Sequence, residues 1–364
     1  MGLLGVILWG LTWWVSMGST HPTGYRLRLS RLTHPARWPP PKRGSPLQLP
    51  FKQDTFNQIT MPQTAQVTVP ATTANIGPGF DCLGAALTLH NHFTFTPADT
   101  LTITITGKEA DRLSTGPDNL VYKSYEAFYH HLQKNAPSVH IAIDLHVPLS
   151  RGLGSSSTAI VGGIVGANLL AGSPLTHSQL ASLATELEGH PDNVVPALLG
   201  GCQLAVHSEN IPLAICQLSW HESIIPIVAI PDFELSTSAA RRVLPESYSR
   251  ADAIFNTAHL GLLTQALATG NGDWLRTALC DRIHQPYRKT LIPNYDDIHQ
   301  DALNAGAWGL VISGAGPTLL TLASPETAPT IQQTLGKSWQ SVNIPYTVHQ
   351  LAIDHQGTQA SLIS

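Results

Sequence analysis

Residues 148–159, Pro148-Leu149-Ser150-Arg151-Gly152-Leu153-Gly154-Ser155-Ser156-Ser157-Thr158-Ala159, combine two closely spaced glycines with a run of hydroxyls. Glycine lets backbone approach a ligand closely, and the serines place hydroxyls and free N–H groups at a helix start, where the macrodipole favours an anion. Phosphate binding is the chemistry such a stretch can do. The spacing fits neither GxxxxGK[ST], since no Lys follows the second Gly, nor GxGxxG, since no third Gly arrives on time. A plain Gly-rich turn closed by a Ser cap would use the same residues, so the stretch by itself leaves both readings open.

Five further stretches carry glycines or polar groups suited to a small substrate. Ala71-Thr72-Thr73-Ala74-Asn75-Ile76-Gly77-Pro78-Gly79-Phe80-Asp81-Cys82-Leu83-Gly84 sets an amide and a carboxylate, Asn75 and Asp81, either side of a glycine bend, where they could hold a hydroxyl and an amine. Glu188-Gly189-His190-Pro191-Asp192-Asn193-Val194-Val195-Pro196-Ala197 is either a Gly-Pro helix terminator with an incidental Asp-Asn turn or a second polar site. Ser236 to Pro245 and Asp281 to Arg288 supply Thr237 and guanidinium groups at 241, 242, 282 and 288, and arginine suits a planar fork onto a carboxylate. Ser313-Gly314-Ala315-Gly316-Pro317-Thr318 is a second glycine loop, which alone could be a hairpin turn.

These clusters sit at the ends of elements that the patterning predicts. Val139, Ile141, Ile143 and Leu145 alternate on one face, so 139–145 reads as a half-buried strand feeding the 148–159 loop. Ile160/Ile164 and Val161/Val165/Leu169 then recur at helical spacing to Leu170, in a helix apolar nearly all round and therefore buried. Strands are predicted at 66–70, 101–106, 225–230, 308–312 and from Leu319. Helices are predicted at 120–132 behind Asp118-Asn119, near 251–268 and near 273–281. Thr176-His177-Ser178-Gln179 has capping-box spacing, with Leu180, Leu183 and Leu187 as the stripe of a helix ending near Gly189.

The chain has 364 residues, 43% hydrophobic and 12% charged, enough for one large or two ordinary domains. Its net charge of −4 hides +6 in residues 1–60 and −10 beyond, so the body is acidic and nucleic acid is not an expected partner. Cysteines at 82, 202, 216 and 280 lack CxxC spacing, which points to neither a zinc site nor a disulfide framework and fits a reducing compartment. Leu3 to Val15 is too short for a membrane span, and 21–60 is Pro- and Arg-rich without hydrophobic period. Methionines stand only at 1, 17 and 61, and patterned sequence begins after Met61. Residues 1–60 are therefore an extension outside the fold: disordered, a plastid-type targeting segment, or a mis-assigned start.

Gly152-Leu153-Gly154-Ser155-Ser156 with Pro148 upstream resembles the phosphate-loop signature of the GHMP small-molecule kinases, and Ser313 to Thr318 resembles their third motif. Residues 70–84 resemble the first motif of the homoserine kinase family, PATxANxGPGFDxLG, and 188–197 resemble its EGHPDNVxPA. The motifs keep that family's order across roughly residues 62–364. The resemblance implies an α+β fold of two domains. The GHMP N-terminal ATP-binding domain at 61–223 would carry a left-handed βαβ unit, against the usual right-handed rule, and the C-terminal domain at 224–364 would be ferredoxin-like. It implies an ATP- and Mg2+-dependent kinase of the threonine pathway, cytoplasmic and dimeric, that phosphorylates L-homoserine. ATP would lie on Pro148, Leu149, Ser150, Arg151, Gly152, Leu153, Gly154, Ser155, Ser156, Ser157 and Thr158, with the metal on Ser156 and on Glu188 or Glu186. Asn75, Asp81, His190 and Asn193 would hold the amino and hydroxyl end of homoserine, and Thr237, Arg241 and Arg288 its carboxylate. Asn193 stands where related kinases have an aspartate base, so catalysis would rest on positioning by Asn193 and Ser156, with Asp192 adjacent as the rival base. The competing readings are a GHMP kinase for another small alcohol such as mevalonate, and a nucleotide-binding module without catalysis.

Overall fold

Alternation and capping along the chain generate two antiparallel-rich sheets, each with helices on one face. In the computed structural model residues 63–208 and 211–363 are described, so the reading of residues 1–60 lies outside the described residues. The elements in order are β1 (Thr64–Ala74), β2 (Leu83–Pro97), β3 (Thr102–Gly107), α1 (Leu120–His131), β4 (Val139–Leu145), α2 (Ser155–Leu170), α3 (His177–Glu188), α4 (Pro191–Leu199), β5 (Cys202–Ser208) and β6 (Ile211–Leu218). There follow β7 (Ile225–Pro231), α5 (Thr237–Arg242), α6 (Arg250–Thr269), α7 (Gly272–Ala278), α8 (Gln285–Arg288), α9 (Tyr295–Asn304), β8 (Gly309–Ile312), β9 (Leu319–Ala323), α10 (Ala328–Ser341), β10 (Tyr346–Gln350) and β11 (Gln359–Ile363).

The first sheet runs β11-β1-β2-β4-β3, with β5 pairing the start of β2 and β6 pairing β5. Only β3 and β4 are parallel neighbours, and α1 makes the crossover between them. The inward residues Ala65, Val67, Val69, Phe93, Phe95, Ile141 and Ile143 pack on α1, α2 and α4 in one core. Helix α2 is buried on nearly every side, which overrides the modest propensity of its glycines and β-branched residues. Gly163 faces α1 so closely that a Cβ there would lie 2.4 Å from the Val121 carbonyl oxygen.

The second sheet has the order β10-β7-β9-β8, all antiparallel, with α-helices between β7 and β8 and between β9 and β10, the ferredoxin-like arrangement. Trp339, Leu335 and Ile331 of α10 and Ile298 of α9 fill its core. A third core, with Ile76, Leu83, Leu153, Leu263 and Leu320, joins the two sheets, and the described residues form one compact unit. Within the 224–364 span, β11 crosses back to pair with β1, so that span contributes to both sheets. No helix among the described residues is long and apolar enough to cross a membrane.

Three local departures from the patterning have clear causes. The first strand does not stop at Pro70 but continues through Ala74, because Ala71 to Ala74 pair with Gly84 to Leu87 across a register shift. Leu187 is exposed, not part of a buried stripe; α3 packs through Leu180, Ala181, Leu183 and Ala184, and its last turn reaches solvent. The 188–197 stretch is both a terminator and a start: Gly189 ends α3 in the left-handed region, and Pro191 opens α4 at a position where no N–H is needed.

Candidate active site

The loop between β4 and α2 is shaped by backbone that only small or strained residues adopt, with Ser150 at φ 53°, Gly152 at φ 79° and Gly154 at φ 67°. A Cβ on Gly152 would stand 2.3 Å from the Ser313 carbonyl oxygen, and one on Gly154 would stand 2.0 Å from Thr72 Oγ1. The glycine loop after β8 therefore seats directly on this one, and Ser313 Oγ donates to the Gly152 carbonyl at 2.7 Å. Gly154 caps α2 without any side-chain hydrogen bond, so the first-turn amides are left for a ligand, as at anion-binding helix starts. Asn91 of β2 holds the loop at both ends: its Oδ1 accepts from the amides of His146 and Val147, and its Nδ2 donates to Thr158 Oγ1, each at 2.8 Å.

Beside the helix start, Glu188 Oε1 accepts from Ser156 Oγ at 2.7 Å and Ser157 Oγ at 3.0 Å. Glu186 points to solvent on the other side of α3 and does not line the cavity. A carboxylate and a hydroxyl at the mouth of a phosphate loop are hard oxygen donors of the kind magnesium takes, so Ser156 and Glu188 fit that ion and Glu186 does not. Asp81, His190 and Asp192 also bring ligand atoms within 4.8 Å of one another. Each acid of that trio already has a hydrogen-bonding partner, Arg241 for Asp81 and His190 for Asp192.

At the other end of the same cavity the backbone is again strained, with Asn75 at φ 58° and Asp81 at φ 54°. Asn75 Oδ1 accepts the Asp81 amide at 2.8 Å, and its Nδ2 donates to the Gly314 carbonyl at 3.0 Å. Its amide thus helps fold the bend while the residue still lines the cavity. Asp81 takes both Nη atoms of Arg241 at 2.9 Å, a bidentate pair joining the β1–β2 bend to α5. Arg288 is 1% exposed; it donates to the carbonyls of Ala240 at 3.2 Å and Gly314 at 2.9 Å and lies over the Phe80 ring. Among the described residues it joins no ion pair with an acidic side chain, and burial lowers its pKa from the usual value against the opposing pull of Asp81. A buried guanidinium satisfied only by neutral carbonyls is a site prepared for an anion. Its place is set by Asp281, whose carboxylate accepts the amides of Ile283, His284 and Gln285 at the turn into α8.

Behind the acid, Asp192 is 1% exposed, with Oδ1 on His190 Nδ1 and Oδ2 without a partner among the described residues. Burial works against a charged His190, but the Asp192 hydrogen bond and the charges of Asp192, Glu188 and Asp81 outweigh it and raise the imidazole's pKa. Asn193 Oδ1 accepts Thr72 Oγ1 at 2.8 Å, which leaves its Nδ2 to donate into the cavity. Thr237, in the first turn of α5, is exposed at the cavity wall.

One cavity of about 520 Å3 thus gathers Asn75, Asp81, Glu188, His190, Asn193, Thr237, Arg241 and Arg288 with Leu149 to Gly152, Gly154 to Ser156 and Thr158. Pro148, Leu153 and Ser157 do not line it. Arg151 reaches its wall, but the guanidinium is held by the Leu149 carbonyl and Asp232, so it is not a free phosphate ligand. Sequence reasoning missed Thr72, Phe80 and Asn91, and also the apolar far end formed by Phe93, Leu113, Leu120, Val121, Ile143 and Leu145. Phe80 and Thr72 lay inside a motif already singled out. Asn91 carried one signal, an amide in register with Phe93 and Phe95 on the inward face of β2.

Family models describing the GHMP kinases N terminal domain and the GHMP kinases C terminal match residues 119–201 and 263–341. A homoserine kinase of a Synechococcus strain is 59% identical over 296 residues, covering 81% of this chain and 97% of that protein. The homoserine kinase of Microchaete diplosiphon is 57% identical, covering 83% of this chain and 99% of that protein. Among solved structures, homoserine kinase from Cytophaga hutchinsonii aligns with a TM-score of 0.75 at 31% identity, over 83% of this chain and 98% of the other. The mevalonate kinase of L. major shares the fold, with a TM-score of 0.61 at 15% identity, covering 80% of this chain and 95% of the other.

Proposed function

This chain belongs to the homoserine kinase family of the GHMP kinases, and from that premise we propose that it transfers the γ-phosphoryl group of ATP to the hydroxyl of L-homoserine, giving O-phospho-L-homoserine and ADP. The observation that carries the acceptor is the charge layout of one wall: a carboxylate, Asp81, and two guanidinium groups, Arg241 and the buried Arg288, which backbone carbonyls hold. A zwitterionic amino acid matches both signs at once. An acceptor with a carboxylate alone, such as mevalonate, would draw Arg241 away and leave Asp81 without its partner.

Phosphoryl transfer asks a protein chiefly for in-line positioning and for neutralisation of charge on the transferring group. Residues Gly152 to Ser156 would wrap the phosphates through backbone N–H groups. Ser156 and Glu188 would hold Mg2+, which supplies charge compensation when bound. Arg241, Arg288 and Thr237 would take the acceptor carboxylate, and Asp81 and His190 its ammonium end. Asn193, locked by Thr72, would donate its Nδ2 hydrogen bond to the reacting hydroxyl. An amide cannot accept a proton at neutral pH, and Asp192 is engaged by His190, so the rate would rest on placement with no strong base. The reading assigns the chain to threonine biosynthesis in the cytoplasm.

Coupled ADP release tests it in one assay. Turnover with L-homoserine and none with mevalonate or without acceptor is expected. ADP release that ignores homoserine would overturn the acceptor, and no nucleotide turnover with any acceptor would favour a binding module.

A further inference from the structure

The charge on Arg151, the one guanidinium of the phosphate loop, has no duty in the reaction as derived, yet it is heavily engaged. Its side chain is 8% exposed, Nη1 donates to the Leu149 carbonyl at 2.8 Å, and Nη2 donates to Asp232 Oδ1 at 2.7 Å. Glu109 Oε1 lies 3.6 Å away and Glu234 Oε1 3.9 Å away, and Arg112 bridges those same two acids. Glu109 also accepts the Leu149 amide at 2.8 Å, which fixes the loop to the segment between β3 and α1. On the opposite side the Leu235 amide donates to the Ser150 carbonyl at 3.2 Å.

Residues 232–235 connect β7 to α5, and the chain passes at once into Ser236, the N-cap of α5, and then Thr237 and Arg241. Through Arg151 the phosphate loop therefore holds the arm that carries the acceptor-carboxylate groups. Fold stability is a weak reason for this knot, because the Asp232 and Glu234 carboxylates are half exposed and ion pairs with solvent-exposed partners contribute little.

We propose that Arg151 is a positioning residue that couples the two ligand subsites, so that nucleotide on the loop raises affinity for the amino-acid acceptor and the acceptor raises affinity for nucleotide by the same factor. The inference rests on the reading of the cavity as a site for nucleotide and homoserine. Loop and arm share one set of ion pairs, so a ligand that orders the loop orders the arm, and linkage makes the effect reciprocal. The carboxylates also keep Arg151 from being drawn onto the phosphates.

The test is calorimetric titration of the full chain with L-homoserine, without and with saturating non-hydrolysable ATP analogue and Mg2+, in the wild type, Arg151→Met and Asp232→Asn. In the wild type the analogue should tighten homoserine binding roughly 5- to 150-fold, the usual span of allosteric coupling. In Arg151→Met the factor should fall to about one while affinity for homoserine alone moves less than about threefold, a separation that general loosening of the fold would not give. Asp232→Asn loosens the same knot at its exposed end, so it reports even if Arg151→Met fails to fold, and its factor should lie between the two. An undiminished factor in the variants overturns the role of Arg151, and homoserine binding that ignores nucleotide in the wild type overturns the coupling itself. A wild type that binds nucleotide but no homoserine overturns the acceptor assignment, and the coupling with it, by a distinct signature.

Discussion

Arg241→Ala separates catalysis from folding at one residue. The substitution removes both donors that Asp81 accepts at 2.9 Å and the guanidinium 5.7 Å from the Phe80 ring centre. In the unliganded site the two side chains are 40% and 31% exposed, so their pairing contributes about 0–1 kcal/mol to stability. With homoserine in place the same guanidinium would meet a carboxylate beside buried Arg288, and truncating one partner of a desolvated pair costs about 2–5 kcal/mol. At about 1.36 kcal/mol per tenfold, that is a loss of roughly 30- to 5000-fold in kcat/KM. The loss should appear in the homoserine KM, with the ATP KM within about threefold and Tm within about two degrees of the wild type. Arg241→Lys keeps the charge without the fork and should fall between. Steady-state kinetics with each substrate varied, and a thermal melt, decide it. An unchanged kcat/KM for homoserine, or an ATP KM that rises as steeply as the homoserine KM, would refute the reasoning.

Ser156→Ala removes a hydroxyl that Glu188 accepts at 2.7 Å; the loss of a hydrogen bond to a charged group predicts a fall in kcat of roughly 10- to 150-fold, and full turnover would contradict the phosphate role. Gly152→Ala forces a side chain onto backbone at φ 79° and 2.3 Å from the Ser313 oxygen, so denaturant melts should show a loss of about 1–3 kcal/mol or more together with weakened ATP binding. His190 has its native pKa raised by Asp192, so its stabilisation is complete below about pH 6.5 and is lost as pH rises through the higher native value. The stability difference between wild type and His190→Gln should therefore shrink as pH rises above about 6.5, and a difference that grows would reverse the sign of the argument.

Much of this site is legible in the sequence because backbone chemistry confines it. Glycines at 152 and 154 are demanded by contacts at Ser313 and Thr72, and the capping residues Asn119, Thr176 and Gly189 mark helix ends by their own hydrogen bonds. The choice between Glu186 and Glu188 was not legible, since two residues on a helix differ by a face and only packing of α3 fixes which one meets Ser156. The engagement of Asn75 by Gly314, and of Arg151 by Asp232, joins residues far apart in the chain, and no local pattern records such pairs. The return of β11 to β1 is hidden for the same reason, because an exposed five-residue edge strand has no buried face to give it a period.

The central claim is that one cavity holds a phosphate chain on the α2 start and a zwitterion on Asp81, Arg241 and Arg288. A crystal structure with a non-hydrolysable ATP analogue, Mg2+ and L-homoserine measures this directly. The account predicts the homoserine carboxylate on Arg241 and Arg288, its ammonium on Asp81, and its hydroxyl in line with the γ-phosphate beside Asn193. Homoserine bound elsewhere, or an Asp81–Arg241 pair left closed with both ligands present, would contradict it.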